Sequence, residues 1–388
     1  LSLTVWADNW QLCWLNPCVW ALSDDFSNFR IFRSVGYMRL TWLVALSGVW
    51  TISWLCVRQY GKGLLGSLIW SVRRAYRPAV ALILLAFSGI AYAAQPMVDN
   101  SNPDETAMLF YEVPYAEEVV CTGRTAEVFP DVNSGTLSGY AAYQFQNSSG
   151  QEQRVAFGIN PGYTISNVQA NGLDVPFSVS DYQEYNEAML EVTIPADKHV
   201  ELTMEYGGFP QESANMSTMQ GSTEISVEYL CLENATLSPR LMNVLPDENM
   251  YPTTFEITLP SFMTVIPFGS SNAQVVAEHE NETKTWRYEG NSTGGIVYAG
   301  NYIREDVVVD GFTIEFYYGR KHQAVMEAAG AVEAIKSVVD YCVEHYGYLS
   351  FGADNKLKLI QSRVSGGGYA AGGASLLDEV DFTAEKSF

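Results

Sequence analysis

Residues 189–208 read MLEVTIPADKHVELTMEYGG, and this stretch decides the fold class of the largest part of the chain. Apolar and polar residues alternate on both sides of PADKH, a pattern typical of two β-strands that each bury one face. Similar runs, bounded by Gly, Pro, Asn and Asp, recur over 118–319: AYQFQN, RVAFGI, FEITLP, TKTWRY, GIVYAGNY and FTIEFYY. They predict a two-layered antiparallel β-domain over 118–319.

The periodicity changes after residue 319. Residues 322–346, HQAVMEAAGAVEAIKSVVDYCVEHY, carry apolar side chains at steps of three and four and predict one helix of about seven turns that ends at Gly347. The run KLKLI at 356–360 predicts a strand, and SGGGYAAGGASLLDE at 365–379 predicts a flexible glycine-rich segment. Residues 320–388 are therefore expected to begin a separate domain.

Two uncharged runs precede the β-domain. Residues 40–57 and 78–94 hold eighteen and seventeen residues without a charge, and the loop at 58–77 between them holds five basic and no acidic residues. The positive-inside rule then predicts a transmembrane hairpin with the loop in the cytoplasm and everything after about residue 95 outside it. The second run also fits a signal peptide ending at the small residues Ala91 and Ala93, an alternative that its position so far from the start of the chain disfavours.

Charge is divided along the chain in the same way. Residues 1–95 hold eight Lys and Arg and three acids, whereas the 388-residue chain has a net charge of −22. The basic part suits an anionic cytoplasmic leaflet, and the acidic remainder excludes nucleic acid as a partner. Residues 1–37 are interpreted as an interfacial or extracytoplasmic stretch within a membrane segment at 1–95, and 96–117 as a linker. The chain begins with Leu rather than Met, so we expect a fragment.

Six cysteines are too few for a disulfide framework. Cys121, Cys231 and Cys342 belong to the acidic part, where separate buried thiols are favoured over a Cys121–Cys231 bridge.

The four histidines form no H-E-x-x-H motif, and we predict no metal ligand and no catalytic residue in this chain. The glycine-rich run at 366–373 contains no Lys, which excludes a phosphate loop, and Ser375 is not in a G-x-S-x-G elbow. It is either a plain surface loop or a loop whose backbone approaches a ligand. The acids Asp378, Glu379 and Asp381 follow it, either as a solvated face or as a grip for a substrate amine.

Several passages in this order resemble the gluzincin metalloaminopeptidases, the aminopeptidase N family, in their membrane-fused form. They are ISNVQANGLDVPF at 165–177, MLEVTIPADKHVELTMEYGG at 189–208, RLMNVLPD at 240–247, FEITLPSFMTVIPFGS at 255–270, GGIVYAGNYI at 294–303 and, most specifically, YCVEHYGYLSFGADNKLKLI at 341–360. The resemblance covers 118–388.

The resemblance implies a saddle-shaped β-domain, then the start of an α/β thermolysin-like catalytic domain, and zinc as the cofactor of the full-length protein. The family's G-x-M-E-N loop, whose Glu holds the substrate amine, should lie within 367–375, where this chain reads GGYAAGGAS without Glu. The substrate-binding residues expected here are Gly372, Gly373, Ala374 and, in place of that Glu, Glu379. The zinc motif would follow residue 388, so the chain is expected to be inactive alone.

The part before the β-domain resembles membrane segments of ABC-type transporter permeases. Two functions therefore stay open: a fragment of a plasma-membrane, multi-pass zinc metallopeptidase, or a non-catalytic extracytoplasmic binding or scaffold module of a permease. The partners expected are the lipid bilayer, a peptide substrate and an ABC-type ATPase subunit.

Overall fold

A computed structural model describes a large part of the chain. The described residues are 23, 26, 29–53, 61, 63–73, 76–94, 115–180, 188–211, 223–244, 251–269, 271–291, 295–309, 311–347, 355–363, 369–371 and 373–382. They divide into two units. One contains the N-terminal helices, and the other contains Ser23, Phe26 and the described residues from 115 onward.

The first unit is helical. Its helices are α1 (Phe29–Ser53), α2 (Leu64–Val72) and α3 (Tyr76–Ala93). Among the described residues, one helix has the length and composition of a membrane span or a signal sequence, at Val35–Ser53, and the apolar helix at Pro78–Ala93 is shorter. The helix α1 begins before the predicted span at 40–57 and includes residues 29–37, which we expected to be interfacial or extracytoplasmic. Residues 54–57 lie outside the described part, as do residues 95–114 of the predicted linker.

The second unit is built on β-structure. An eight-stranded sheet has the order β14-β15-β12-β1-β2-β8-β4-β5. Its strands are β1 (Val119–Asp131), β2 (Thr136–Asn147), β4 (Tyr163–Ala170), β5 (Leu173–Asp174), β8 (His199–Gly208), β12 (Pro252–Pro260), β14 (Gln274–Glu278) and β15 (Thr283–Asn291). All neighbours pair antiparallel except β1 and β12, which run parallel.

Two four-stranded sheets pack on this one. One has the order β13-β16-β10-β9 and the other β11-β3-β7-β6. Their strands are β3 (Gln153–Ile159), β6 (Phe177–Ser180), β7 (Ala188–Ile194), β9 (Glu224–Ile225), β10 (Tyr229–Glu233), β11 (Arg240–Leu241), β13 (Thr264–Pro267) and β16 (Ile296–Gly300), and a short helix, α4 (Asn234–Leu237), follows β10. Alternating side chains such as Val128, Phe157 and Leu202 are buried together in one core, and the parallel β1–β12 pair departs from the purely antiparallel domain expected over 118–319.

The last sheet mixes strand directions. It has the order β17-β18-β19-β21-β20, in which β18, β19 and β21 run parallel and the outer strands antiparallel. Its elements are β17 (Tyr302–Val309), β18 (Phe312–Gly319), α5 (Gln323–Ala329), α6 (Ala331–Tyr346), β19 (Lys356–Ser362), β20 (Tyr369–Ala371) and β21 (Ala374–Asp378). Strand pairing thus crosses the predicted domain boundary at 319/320, because β18 pairs with β19 over 313–317 and 356–360.

The helix expected over 322–346 is interrupted. Gly330 adopts a left-handed conformation with φ of 63°, which ends α5 and begins α6. Met326, Ala331 and Ile335 from the two helices are buried against the mixed sheet. Helical periodicity continues across the break, so the sequence pattern did not reveal it.

The three described cysteines form no disulfide bond with one another. Cys121, Cys231 and Cys342 are free thiols, and the first two are buried. Burial raises the pKa of the Cys121 thiol to about 12. The expectation of separate buried thiols therefore agrees with Cys121 and Cys231, whereas Cys342 is only half-buried.

Replacing Gly330 tests the break in the helix. Because an added Cβ meets nothing within 4 Å, Gly330→Ala should cost only the strain of a left-handed residue, about 1 kcal/mol of unfolding free energy. Gly330→Asn should cost less, since Asn tolerates this conformation. Denaturant unfolding of the purified chain measures both. A single continuous helix would reverse the sign, and Gly330→Ala would then stabilise the protein by about 1 kcal/mol.

Candidate functional site

The mixed sheet and the β-rich sheets meet in an aromatic core. Tyr229, Tyr298 and Ile266 from the β13-β16-β10-β9 sheet are buried with Tyr317 and Ile360 of the mixed sheet. These side chains belong to strands far apart in the sequence, so the two parts form one continuous body at this junction. Any cleft at the junction is shaped by both parts.

A buried ion pair ties the junction on one side. Glu224, in β9, lies 3.4 Å from the guanidinium of Arg363, which follows β19, and their side chains are 1% and 5% exposed. Removing one partner of such a pair leaves a charge stranded away from water, which is strongly unfavourable. The pair therefore fixes β9 against the end of β19.

A buried lysine ties the junction on another side. The Nζ of Lys358, in β19, donates hydrogen bonds to the carbonyl oxygens of Pro267, at 2.8 Å, and of Ser271. The side chain is 1% exposed, and burial lowers the pKa of its ammonium group to about 8 while the nearby Glu315 acts in the opposite direction. The lysine holds the segment that follows β13 onto the mixed sheet.

Glu315 is the centre of the polar network beside this lysine. Its carboxylate accepts hydrogen bonds from Arg304 at 2.9 Å, from Asn272 at 3.0 Å and from the hydroxyl of Tyr317 at 3.0 Å, and the residue is 1% exposed. Asn272 comes from the β-rich part, whereas Arg304, Glu315 and Tyr317 belong to the mixed sheet. The network therefore satisfies a buried charge with donors from both parts.

One side of the junction is open and forms a cleft of about 340 Å³. Its apolar lining includes Val227, Phe262 and Tyr302, and its polar lining includes Arg320 and Gln361. The side-chain oxygen of Gln361 accepts the backbone N–H of Gly319 at 2.7 Å. A cleft with an apolar wall and a few fixed polar groups can bind a small molecule or a peptide side chain.

The sequence-predicted site residues lie on the mixed sheet. Gly373, with φ of 87°, accepts the backbone N–H of Lys358 at 2.9 Å, and Ala374 is 1% exposed at the start of β21. Gly372 lies outside the described residues. Glu379 accepts a hydrogen bond from the hydroxyl of Ser23. The expectation of a flexible loop over 365–379 is wrong for 369–371 and 374–378, because these residues pair as the β20–β21 hairpin.

A second depression, of about 490 Å³, lies over the eight-stranded sheet. Its lining includes Glu127, Glu256, His279 and Glu280. Glu256 is paired with Arg287, and His279 shares a hydrogen bond with Thr285 at 2.9 Å. No three His, Cys, Asp or Glu side chains are placed to hold a metal ion anywhere in the part of the chain that the structure describes. The described residues therefore do not fit the zinc that the resemblance implies.

Sequence reasoning missed the residues that build this junction. Lys358 occurs in an ordinary alternating strand, and Glu224 occurs in a strand of two residues. A charged residue inside a run such as KLKLI was a weak signal, because only long-range pairing decides which face of the strand is covered.

The comparisons with known proteins return structures but no sequence family. No family profile matches the sequence, and no curated protein does. The similar solved structures include an M1 zinc metallopeptidase from Deinococcus radiodurans, with 14% identity over 69% of this chain and 62% of that one and a TM-score of 0.44. They also include a point mutant of the same enzyme bound to a Tyr-Ser-Ala substrate, with 15% identity over 68% and 61% of the two chains and a TM-score of 0.45.

Native yeast LTA4 hydrolase is a further similar structure, with 9% identity over 70% of this chain and 42% of that one and a TM-score of 0.47. The chain thus spans about 62% of the length of the Deinococcus enzyme. All three TM-scores are below 0.5.

The pKa of Lys358 predicts a pH dependence of stability. Between pH 8 and pH 10.5 the unfolded chain binds more protons at this residue than the folded protein, so the unfolding free energy should rise with pH over this range. Lys358→Met should remove about 1–2 kcal/mol of that rise between pH 7.5 and pH 9.5, measured by denaturant titration at each pH. Leu357→Met, next along the strand, should keep the wild-type slope. Equal slopes in wild type and Lys358→Met would contradict a titrating buried lysine.

Proposed function

We propose that this chain is the membrane-anchored, peptide-binding part of a zinc metallopeptidase-like protein of the aminopeptidase type. The observation that carries the proposal is the cleft of about 340 Å³ at the junction between the β-rich sheets and the mixed sheet. The sequence resemblance supplies the class of ligand, a peptide. The sequence has no H-E-x-x-H motif, so the chain holds peptides without hydrolysing them.

The surface of the helical unit supports anchoring in a membrane. Leu43 and Trp50 of α1 are 65% and 67% exposed, and Leu82 of α3 is 67% exposed. Between the helices, by contrast, the buried hydroxyl of Ser88 donates to the backbone oxygen of Thr41 at 3.0 Å. Apolar groups outside and small polar groups inside are typical of helices packed in lipid and the reverse of a soluble helix pair. We therefore propose a hairpin of α1 and α3 in the plasma membrane, with the β-rich part outside the cytoplasm.

The alternative is a non-catalytic binding or scaffold module of an ABC-type transporter permease, working with an ATPase subunit. The absence of any Glu in GGYAAGGAS at 367–375 favours this alternative, since the family holds the substrate amine with a Glu there. Under either function the cleft binds its ligand and does not hydrolyse it.

Cysteine labelling tests the topology. In a variant whose native cysteines are replaced by Ser, Gly63→Cys lies in the loop between the helices and Glu280→Cys lies on the exposed surface of the β-rich part. An impermeant maleimide added to intact cells should label Glu280→Cys and spare Gly63→Cys, and both should react after lysis. Labelling of both positions in intact cells, or release of the chain into the soluble fraction by carbonate, would contradict the hairpin.

Metal analysis tests the proposal that the chain binds peptides without holding zinc and without hydrolysing them. The purified chain, dialysed after exposure to zinc, should hold far less than the about one ion per chain expected of a zinc peptidase and should not hydrolyse aminoacyl anilides. His279→Ala serves as a control for adventitious binding at an exposed histidine. Stoichiometric zinc together with hydrolysis would overturn the proposal.

A further inference from the structure

Phe26 lies against the aromatic core of the junction. Its ring centroid is 4.5 Å from that of Tyr229 and 6.4 Å from that of Tyr302, and the residue is only 7% exposed. Offset aromatic contacts at these distances are favourable beyond simple burial. The phenyl ring also lines the cleft, as Tyr302 does.

Ser23 provides a second attachment point. Its hydroxyl donates to the carboxylate of Glu379 and accepts the backbone N–H of Phe26 at 2.7 Å. This hydroxyl therefore joins the residue that presents the phenyl ring to an acidic side chain 356 positions away from Ser23 in the sequence. Ser23 is 6% exposed, so the attachment excludes water.

The cleft offers more apolar surface than Phe26 covers. Val227 and Phe262 both line it and are 45% and 49% exposed. Neither Ser23 nor Phe26 belongs to a helix or strand. Ser23 and Phe26 thus make the contacts that a short peptide would make. The aromatic side chain of Phe26 lies in a pocket, and the hydroxyl of Ser23 donates a hydrogen bond to a carboxylate.

We propose that the cleft contains a subsite for an aromatic side chain of a peptide, and that Phe26, held by Ser23, fills this subsite as a ligand supplied by the chain itself. The occupant that the subsite accepts from outside is a peptide with a Ser three positions before a Phe. This inference rests on the proposed peptide-binding function and adds its specificity and its regulation. A tethered segment competes at a high effective concentration, so a free peptide enters only when the segment is displaced.

Peptide binding by the full-length chain in detergent tests the proposal. The probe is fluorescein-labelled ALSDDFSN, the sequence of residues 21–28, and the matched control peptide is ALSDDASN. Phe26→Ala empties the subsite, and Ser23→Glu places a second carboxylate beside Glu379 while keeping Phe26. Phe129→Ala, at a residue 45% exposed on β1, is the control for loss of a phenyl ring elsewhere.

Fluorescence anisotropy should show that Phe26→Ala and Ser23→Glu bind the probe at least about tenfold more tightly than wild type and Phe129→Ala do. The control peptide should bind none of them. If Phe26→Ala fails to fold, Ser23→Glu still decides the question. Equal binding of the probe by all four proteins would overturn the proposal.

Two other results would also overturn it. Tight binding of ALSDDASN would mean that the cleft takes peptides without an aromatic subsite, which leaves the proposed function standing. No binding of either peptide, with folded Phe26→Ala and Ser23→Glu, would mean that Phe26 is a structural core residue. The topology and zinc measurements decide the proposed function separately from these results.

Discussion

The desolvated charges at the junction are the constraint on which the second unit depends. Glu224 and Arg363 come from different sheets and are nearly inaccessible to water, and Lys358 reaches across to carbonyl oxygens of the segment after β13. Each of these groups is acceptable in the interior only while its partner from the other part is in place. Separating the two parts would break these contacts, and the cleft beside the junction would be lost with them.

The Glu224–Arg363 ion pair and Lys358 close some sides of the aromatic core. The side that they leave open forms the cleft. Tyr302 contributes to both the core and the cleft wall, and its hydroxyl donates to the backbone oxygen of Gln361 at 2.8 Å. Polar groups fixed in this way do not reorganise when a ligand arrives, which lowers the cost of binding. A binding function is consistent with a lining in which Tyr302 and Gln361 are already held by hydrogen bonds.

Local pattern was enough to predict most of the strands, and tertiary contacts decided the rest. The alternation in MLEVTIP and VELTMEY corresponds to β7 and β8, and KLKLI corresponds to β19. The break at Gly330 was missed because helical periodicity continues through it, and the glycine-rich run was misread because its pairing as β20 and β21 depends on β19. Whether a strand belongs to one sheet or another, as for β17 and β18, is likewise decided by distant partners.

The candidate site, like the fold, could be predicted from the sequence only in part. Glu379 was selected from a local cluster of acids, but its contact with Ser23 joins residues at opposite ends of the chain. Glu224 and Lys358 could not be recognised, because their roles come from burial at a junction that no sequence window contains.

A double-mutant cycle on Glu224 and Arg363 measures how strongly the buried ion pair couples the two parts of the junction. Unfolding free energies would be measured for wild type, Glu224→Gln, Arg363→Met and the double variant. Each single change should cost about 3–5 kcal/mol, and the double variant should recover at least about 2 kcal/mol of the summed loss, because it removes both charges of the pair. Effects that add to within about 0.5 kcal/mol would show that the two residues do not act together, and the junction would not be the constraint on which the cleft depends.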